Sequence, residues 1–349
     1  MPSRSPADVV RSVPTLPIPV KPDADRADTH RLPLPDAVEP GSIYWLYTAP
    51  IVGIHFLALS AVWPWLFSWT GLIVAVLGVH VFGQGITIGY HRLLTHRSFR
   101  TPKWVEHGLV YLALFGMQDT PGRWVATHRY HHLESDHQPD PHSPLVGFLW
   151  AHVGWLLVRN RHSENMATYQ RYARDVLADP WYMRLEKDVW RLPAAYALHA
   201  AAFFAVGFGV GWATGGSAMA GLRFGLSLLV WGVFVRTVAV WHITWSVNSL
   251  THLFGYRNHA TGDHSTNNWF VALLTVGEGW HNNHHHDQGS ASNQHRWWEL
   301  DLSYYEIKTL ERLGLASHVR SPRPARVTAG TEAGGPELQS RPGSGERSG

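Results

Sequence analysis

Four stretches of the chain stay apolar over the thickness of a bilayer. Ile43 to Trp65, Thr70 to Tyr90 and Leu192 to Trp212 contain no Asp, Glu, Lys or Arg. Each reaches the ~20 residues that a helix needs to cross the hydrocarbon core. The fourth, Gly221 to Trp245, is interrupted by Arg223 near one end and Arg236 in its second half. Two further apolar stretches, Val105–Met117 and Leu145–Val158, are too short to cross and are predicted to lie at the interface or in a cap. Residues 1–40 and 319–349 are polar, rich in Pro or Gly and without periodicity. They read as disordered tails around one domain spanning 41–318.

The pattern therefore predicts an all-α integral membrane protein with four transmembrane helices. The alternative, buried core helices of a soluble protein, fits poorly with a charged share of 16%, against ~25% in ordinary soluble domains. Orientation follows from the loops. The link after the first span (WPWLFSW) has no charge, and the link after the third has one Arg at its edge. Arg92, Arg97, Arg100, Lys103, Arg123, Arg129, Arg159 and Arg161 all fall on the other side, which the positive-inside rule makes cytoplasmic, together with both tails.

Composition narrows the chemistry. There are no cysteines, so thiolate nucleophiles, Cys-held metals and disulfides are excluded. A net charge of +3 with scattered Lys and Arg gives no nucleic-acid footprint. Histidine is in excess, with 24 copies beside 26 acidic residues. It clusters as HRLLTH (His91, His96), HRYHH (His128, His131, His132) and HNNHH (His281, His284, His285).

The last two clusters share H-x-x-H-H. On a helix, positions i, i+3 and i+4 lie on one stripe, so their imidazoles can converge on a metal centre. The i, i+5 spacing of the first places its pair farther apart, unless the helix ends or bends there. Eight imidazoles exceed the capacity of one ion, so two are expected. Imidazole suits Zn, Cu, Fe and Ni, and two redox-active irons could activate O2 against an unactivated C–H bond. Neutral ligands leave that charge unbalanced, which calls for nearby carboxylates; Asp136, Asp140, Asp263 and Glu278 are the candidates. A carboxylate-type di-iron reading on Glu134-x-x-His137 and Glu278-x-x-His281 leaves most box histidines without a role. Isolated histidines such as His55, His80, His107, His199 and His295 are expected to be interfacial or hydrogen-bonded residues.

Taken together, GYHRLLTHRSF, THRYHH, DPHSP, GFLWAHVGWLLVRN, NSLTHLFGYR and GEGWHNNHH resemble the membrane-bound fatty-acid desaturases, particularly the Δ9 or stearoyl-type branch, over about residues 41–316. The resemblance implies a cytoplasmic helical cap holding a di-metal site with two Fe2+ ions and O2 as co-substrate. It implies His252 as a ninth ligand and Asn248 as a contact through water. It also implies a bent acyl tunnel walled by Gln118, Trp124, Thr244 and Trp245, with Arg159 as a headgroup contact. A kinked tunnel would fix which C–H bonds face the metals.

The expected activity is O2-dependent insertion of a cis double bond, at Δ9, into a saturated acyl chain in a bacterial cytoplasmic membrane. A hydroxylase of the same membrane di-iron class and a membrane metal transporter are the alternatives. Departures from the animal enzymes concern the acyl carrier. Ala126 and Thr127 stand where those enzymes have an Arg–Asp pair, and Asp119 stands for an Asn. CoA, acyl-carrier protein and glycerolipid therefore all remain open as the acyl carrier. No haem motif of the b5 type is visible, so electrons are expected from a separate ferredoxin, rubredoxin or flavoprotein reductase.

Overall fold

A computed structural model describes residues 31–323. Four of its helical runs are long and apolar enough to cross a membrane: Trp45–Val62, Trp69–Thr95, Arg191–Gly215 and Ala218–Leu250. They follow the four apolar stretches of the sequence and differ from them mainly at their ends. The second run extends past Tyr90 to Thr95 and the fourth past Trp245 to Leu250. At 27 and 33 residues these two exceed the ~20 residues of a simple crossing, so each carries polar residues beyond its apolar length. They also form the inside of the bundle. Buried residues make up 44% and 39% of their apolar windows, against 11% and 17% for the first and third.

Arg236 shows how the fourth run tolerates a charge. Its side chain is fully buried, and Nε donates to the Gly232 carbonyl and Nη1 to the Phe115 carbonyl. Nη2 lies 3.0 Å from His199 Nε2, and the guanidinium stacks over Phe82 at 4.0 Å. A cation within a span is bearable when protein groups occupy its donors in this way.

The first and second runs are joined by a short link, as are the third and fourth. Residues 96–190 and 251–323 therefore emerge on one common face. There the helices Lys103–Leu114 and Pro121–Glu134 share one buried core, His281–His286 meets Pro121–Glu134 through His284 and His132, and Trp269–Leu274 packs on the fourth run. The architecture departs from all-α in one ribbon: β1 (Val38–Ile43) pairs antiparallel with β2 (Val158–Asn160). The strand begins before the expected domain start at 41. Leu32 N–H also donates to the Leu145 carbonyl, and at the other end Ala291 N–H donates to the Arg320 carbonyl. Residues 31–40 and 319–323 are thus tied to the domain by backbone hydrogen bonds rather than lying in tails. The rest of the expected tails, 1–30 and 324–349, falls outside the described residues.

The second span ends in a wide π-helical segment, Gly85–Thr95. Its last bond runs from His96 N–H to the His91 carbonyl at 3.1 Å, an i→i+5 closure that places the two histidines one above the other. The segment is seated by Gly85, where a Cβ would lie 2.4 Å from Ala113 N and 2.7 Å from Leu112 C of the adjoining helix. Any side chain there must push the helix away. Replacement Gly85→Val is expected to lower the thermal midpoint of the detergent-solubilised protein, by roughly the 1–3 kcal/mol typical of overpacking. Gly83→Ala, where a Cβ meets nothing within 4 Å, is expected to leave the midpoint close to that of the unaltered protein.

Candidate metal centre

Nine histidines from separate elements converge into two groups. His91, His96, His128, His132 and His284 form one; His131, His252, His281 and His285 form the other, and within each the ligand atoms lie within 4.8 Å of one another. The two H-x-x-H-H boxes are not stripes that each serve one ion. In the helix Pro121–Glu134, His128 and His132 face the first group and His131 the second. In the helix His281–His286 the assignment reverses: His281 and His285 face the second group and His284 the first. Each box gives its i, i+4 pair to one group and its middle histidine to the other, so the two helices tie both groups together.

The spacing of the ring nitrogens is what a metal shell requires. His91 and His284 bring Nε2 atoms to 3.1 Å, and the His284–His132 and His132–His128 pairs stand at 3.0 Å. In the second group, His281 Nε2 lies 3.1 Å from His252 Nε2 and 3.0 Å from His285 Nε2. Metal–nitrogen bonds of ~2.0–2.1 Å place ligands at right angles ~3.0 Å apart and tetrahedral ones ~3.4 Å apart. The observed spacings fall in the range that ligands of one shared ion occupy.

The other ring nitrogens explain why a cation is needed. His91 Nδ1 lies 2.9 Å from Glu278, His131 Nδ1 3.0 Å from Asp140, His252 Nδ1 2.7 Å from Asp136 and His285 Nδ1 2.6 Å from Asp263. Each Nδ1–H donates to its carboxylate, which leaves a bare Nε2 lone pair aimed inward. Burial and neighbouring imidazoles hold His128, His132, His281 and His284 well below the usual histidine range, in the neutral form that binds metal. His252 is the exception. Burial opposes its charge, but the Asp136 carboxylate raises it to about 9, so without a metal it keeps a proton in that place.

All four carboxylates expected from the sequence stand behind ligands, and their number balances two divalent ions. Burial opposes their charge too, but Arg92 beside Glu278 holds that carboxyl at about 2, and the His252 imidazolium holds Asp136 well below the usual range. Arg92 donates to Glu278 from Nε and Nη2 and to Asp301 from Nη1 at 2.9 Å, so its own charge is offset. Gly277, at φ +135°, delivers Glu278 into this network; a Cβ there would lie 2.4 Å from Asp301 Oδ1. The sequence reading missed Arg92 and Asp301. The only signal was an Arg directly after His91, where the apolar run ends.

A cavity of about 610 Å³ opens beside the histidines and is lined by His91, His128 and His281. Gln118, Trp124, Thr244, Trp245 and Asn248 also line it. Trp124 stacks on His128 with ring centroids 4.8 Å apart, which joins the cavity wall to a candidate ligand. Asn248 stands one helical turn before His252. Arg159 does not reach the cavity: it stands on β2, half-exposed, and its Nη2 is 2.7 Å from Glu164. The pairing of β1 with β2 directs it to that partner. The cation the cavity does hold is Arg123, which donates to the Tyr47 hydroxyl, itself bonded to Asp119. Nearby, Thr120 Oγ1 and Gly122 N–H each donate to Glu186 at 2.7 Å.

Comparison with known proteins adds a family. The fatty acid desaturase model matches residues 63–316. An sn-1 stearoyl-lipid 9-desaturase of Anabaena variabilis is 45% identical over 279 residues, covering 80% of this chain and 94% of that protein. An enzyme of the same name from Synechocystis is 41% identical over 80% of each chain. An acyl-CoA 5-desaturase of Anemone leveillei is 42% identical over 77% of each.

Two measurements probe this site. Asp263→Asn is expected to weaken metal binding ~10–100-fold, read as metal per protein after dialysis against a graded chelator. Burial pushes the Glu186 carboxyl up to about 7, above its unfolded value of ~4.3. Its ionisation therefore opposes the folded state increasingly as pH rises from the unfolded value through 7. Glu186→Gln is expected to raise the thermal midpoint above pH 7 and to leave it unchanged below pH ~4.

Proposed function

The chain belongs to the fatty acid desaturase family, and from that premise we propose that it is an O2-dependent acyl-lipid desaturase placing a cis double bond at Δ9 of a saturated acyl chain. The observation that carries the reading is the pair of histidine groups, nine imidazoles backed by carboxylates, beside a largely apolar cavity. Enzymes of this family are oxidoreductases. The glycerolipid carrier and the Δ9 position rest on the named activities of the two stearoyl-lipid 9-desaturases. The Ala126–Thr127 pair in place of an Arg–Asp pair fits a carrier other than CoA.

In this reading His91, His96, His128, His132 and His284 hold one ion, and His131, His252, His281 and His285 hold the other, with Asn248 in contact through water. A pair of ferrous ions in that donor set supplies the activation of O2. The balance of the reaction is one acyl chain, one O2, two electrons and two protons giving one alkene and two waters. The electrons come from a separate donor protein, a ferredoxin, rubredoxin or reductase.

The chain's own work is binding and placement. Trp124, Thr244, Trp245 and Gln118 hold the acyl chain so that two neighbouring methylenes face the histidine groups. Glu278, Asp136, Asp140 and Asp263 keep the imidazoles in one tautomer and offset the charge of the ions. Arg123 and Asp119 meet the polar end of the substrate. In this reading the site and both tails lie on the cytoplasmic side of a bacterial membrane, an orientation that the positive-inside pattern of the loops supports.

Expression in a host that lacks the activity, followed by mapping of double bonds, tests this directly. New Δ9-monounsaturated acyl chains in the host's glycerolipids are expected. His284→Ala should abolish them and lower bound iron. A hydroxy acid as the product would reassign the chain to hydroxylation. Metal uptake with unaltered lipids would point to transport, and full desaturation by the His284 variant would remove the metal assignment.

A further inference from the structure

Three histidines outside the metal groups lie side by side at the edge of the bundle, His242 exposed and His55 and His152 half-buried. His55 belongs to the first span, His242 to the fourth, and His152 to the π-turn Trp150–Gly154. His55 Nδ1 donates to the Ile51 carbonyl at 2.7 Å, and its Nε2 lies 3.0 Å from His242 Nε2. His242 Nδ1 lies 2.9 Å from His152 Nε2, and His152 Nδ1 lies 3.0 Å from Ser249 Oγ. Every ring nitrogen of the three is thus partnered in an unbranched chain. His242 turns its two nitrogens to different neighbours, so the rings do not converge on a point as the metal groups do.

Ionisable side chains in a membrane-spanning region are costly and mark function. What these three enclose is Trp245. His55 stacks on its indole with ring centroids 6.4 Å apart and planes 17° apart. His242 and His152 meet the indole at 75° and 80°, with centroids at 5.3 and 5.8 Å. Trp241 stacks on it as well, at 5.7 Å, and donates from Nε1 to the Met117 carbonyl, next to Gln118. Trp245 is buried and lines the cavity together with His91, His128 and His281.

We propose that His55, His152 and His242 form a clamp on Trp245 that sets which carbons of the acyl chain meet the metal groups. The three are positioning residues acting through the cavity wall, and the inference rests on the reading of the cavity as the acyl site. Apolar packing alone gives little directional hold between helices in lipid, because the tails are as apolar as the side chains. A hydrogen-bonded chain supplies that direction. It ties the first span, the π-turn and the fourth span to one indole, which then cannot swing to admit the substrate one methylene farther. One methylene is the unit of discrimination in such a cavity, worth ~10–200-fold.

The test uses the full chain in the desaturase-deficient host, with His242→Leu and His55→Phe as variants. Both keep apolar bulk suited to lipid and remove the chain of hydrogen bonds. If one fails to accumulate, the other decides. Bound iron is expected to stay at the level of the unaltered protein. The share of products with the double bond displaced, or of shorter and longer chains accepted, is expected to rise at least ~10-fold. An unchanged product pattern, with or without lower yield, overturns the clamp. So does loss of iron in the variants, because the histidines would then be supporting the metal groups. Absence of unsaturated product from the unaltered protein would instead overturn the desaturase reading itself.

Discussion

Imidazole nitrogens face one another across about 3 Å in both histidine groups, and a cation in each group would satisfy them together. Much of the surrounding structure follows from this one constraint. Imidazoles must be held and aimed, so one carboxylate accepts from Nδ1 in the first group and three do in the second. Those carboxylates are buried and must stay ionised, so Arg92, Asn293 and backbone N–H groups are placed against them. Arg92 in turn needs Asp301. Four buried carboxylates thus supply the negative charge that two divalent ions would need.

A second constraint is the bilayer. Ligands must come from helices whose apolar stretches end in lipid, yet they must meet at one place. The second and fourth spans solve this by running past their apolar lengths, the second in a π-helical segment that brings His91 and His96 edge to face. The helices of the second and third boxes then lie across the bundle's end. Because each box serves both groups, displacement of either helix disturbs both sites together.

The cavity joins the two constraints. Trp124 leans on His128, and Trp245 is held from behind by three histidines of the span region. The cavity wall is therefore linked on one side to the histidine groups and on the other to the membrane helices. The stacking and hydrogen bonds that hold it serve geometry more than stability.

By itself the sequence determined the elements and the donor chemistry. Four uncharged or nearly uncharged stretches read as spans, because each is long enough and apolar enough to cross. The absence of cysteine and the H-x-x-H-H boxes leave imidazole as the donor, and charge balance pointed to Asp136, Asp140, Asp263 and Glu278 before any coordinates. His252 came only from family resemblance, since one histidine after a span carries no spacing signal. Tertiary structure alone decided how the boxes divide between two groups, because helical periodicity says which residues share a face and not what each faces. It also decided that an i, i+5 pair meets edge to face, since a π-turn is set by the packing of Gly85 against its neighbour. Finally, it turned Arg159 to Glu164 and gathered His55, His152 and His242, residues distant in sequence, around one tryptophan.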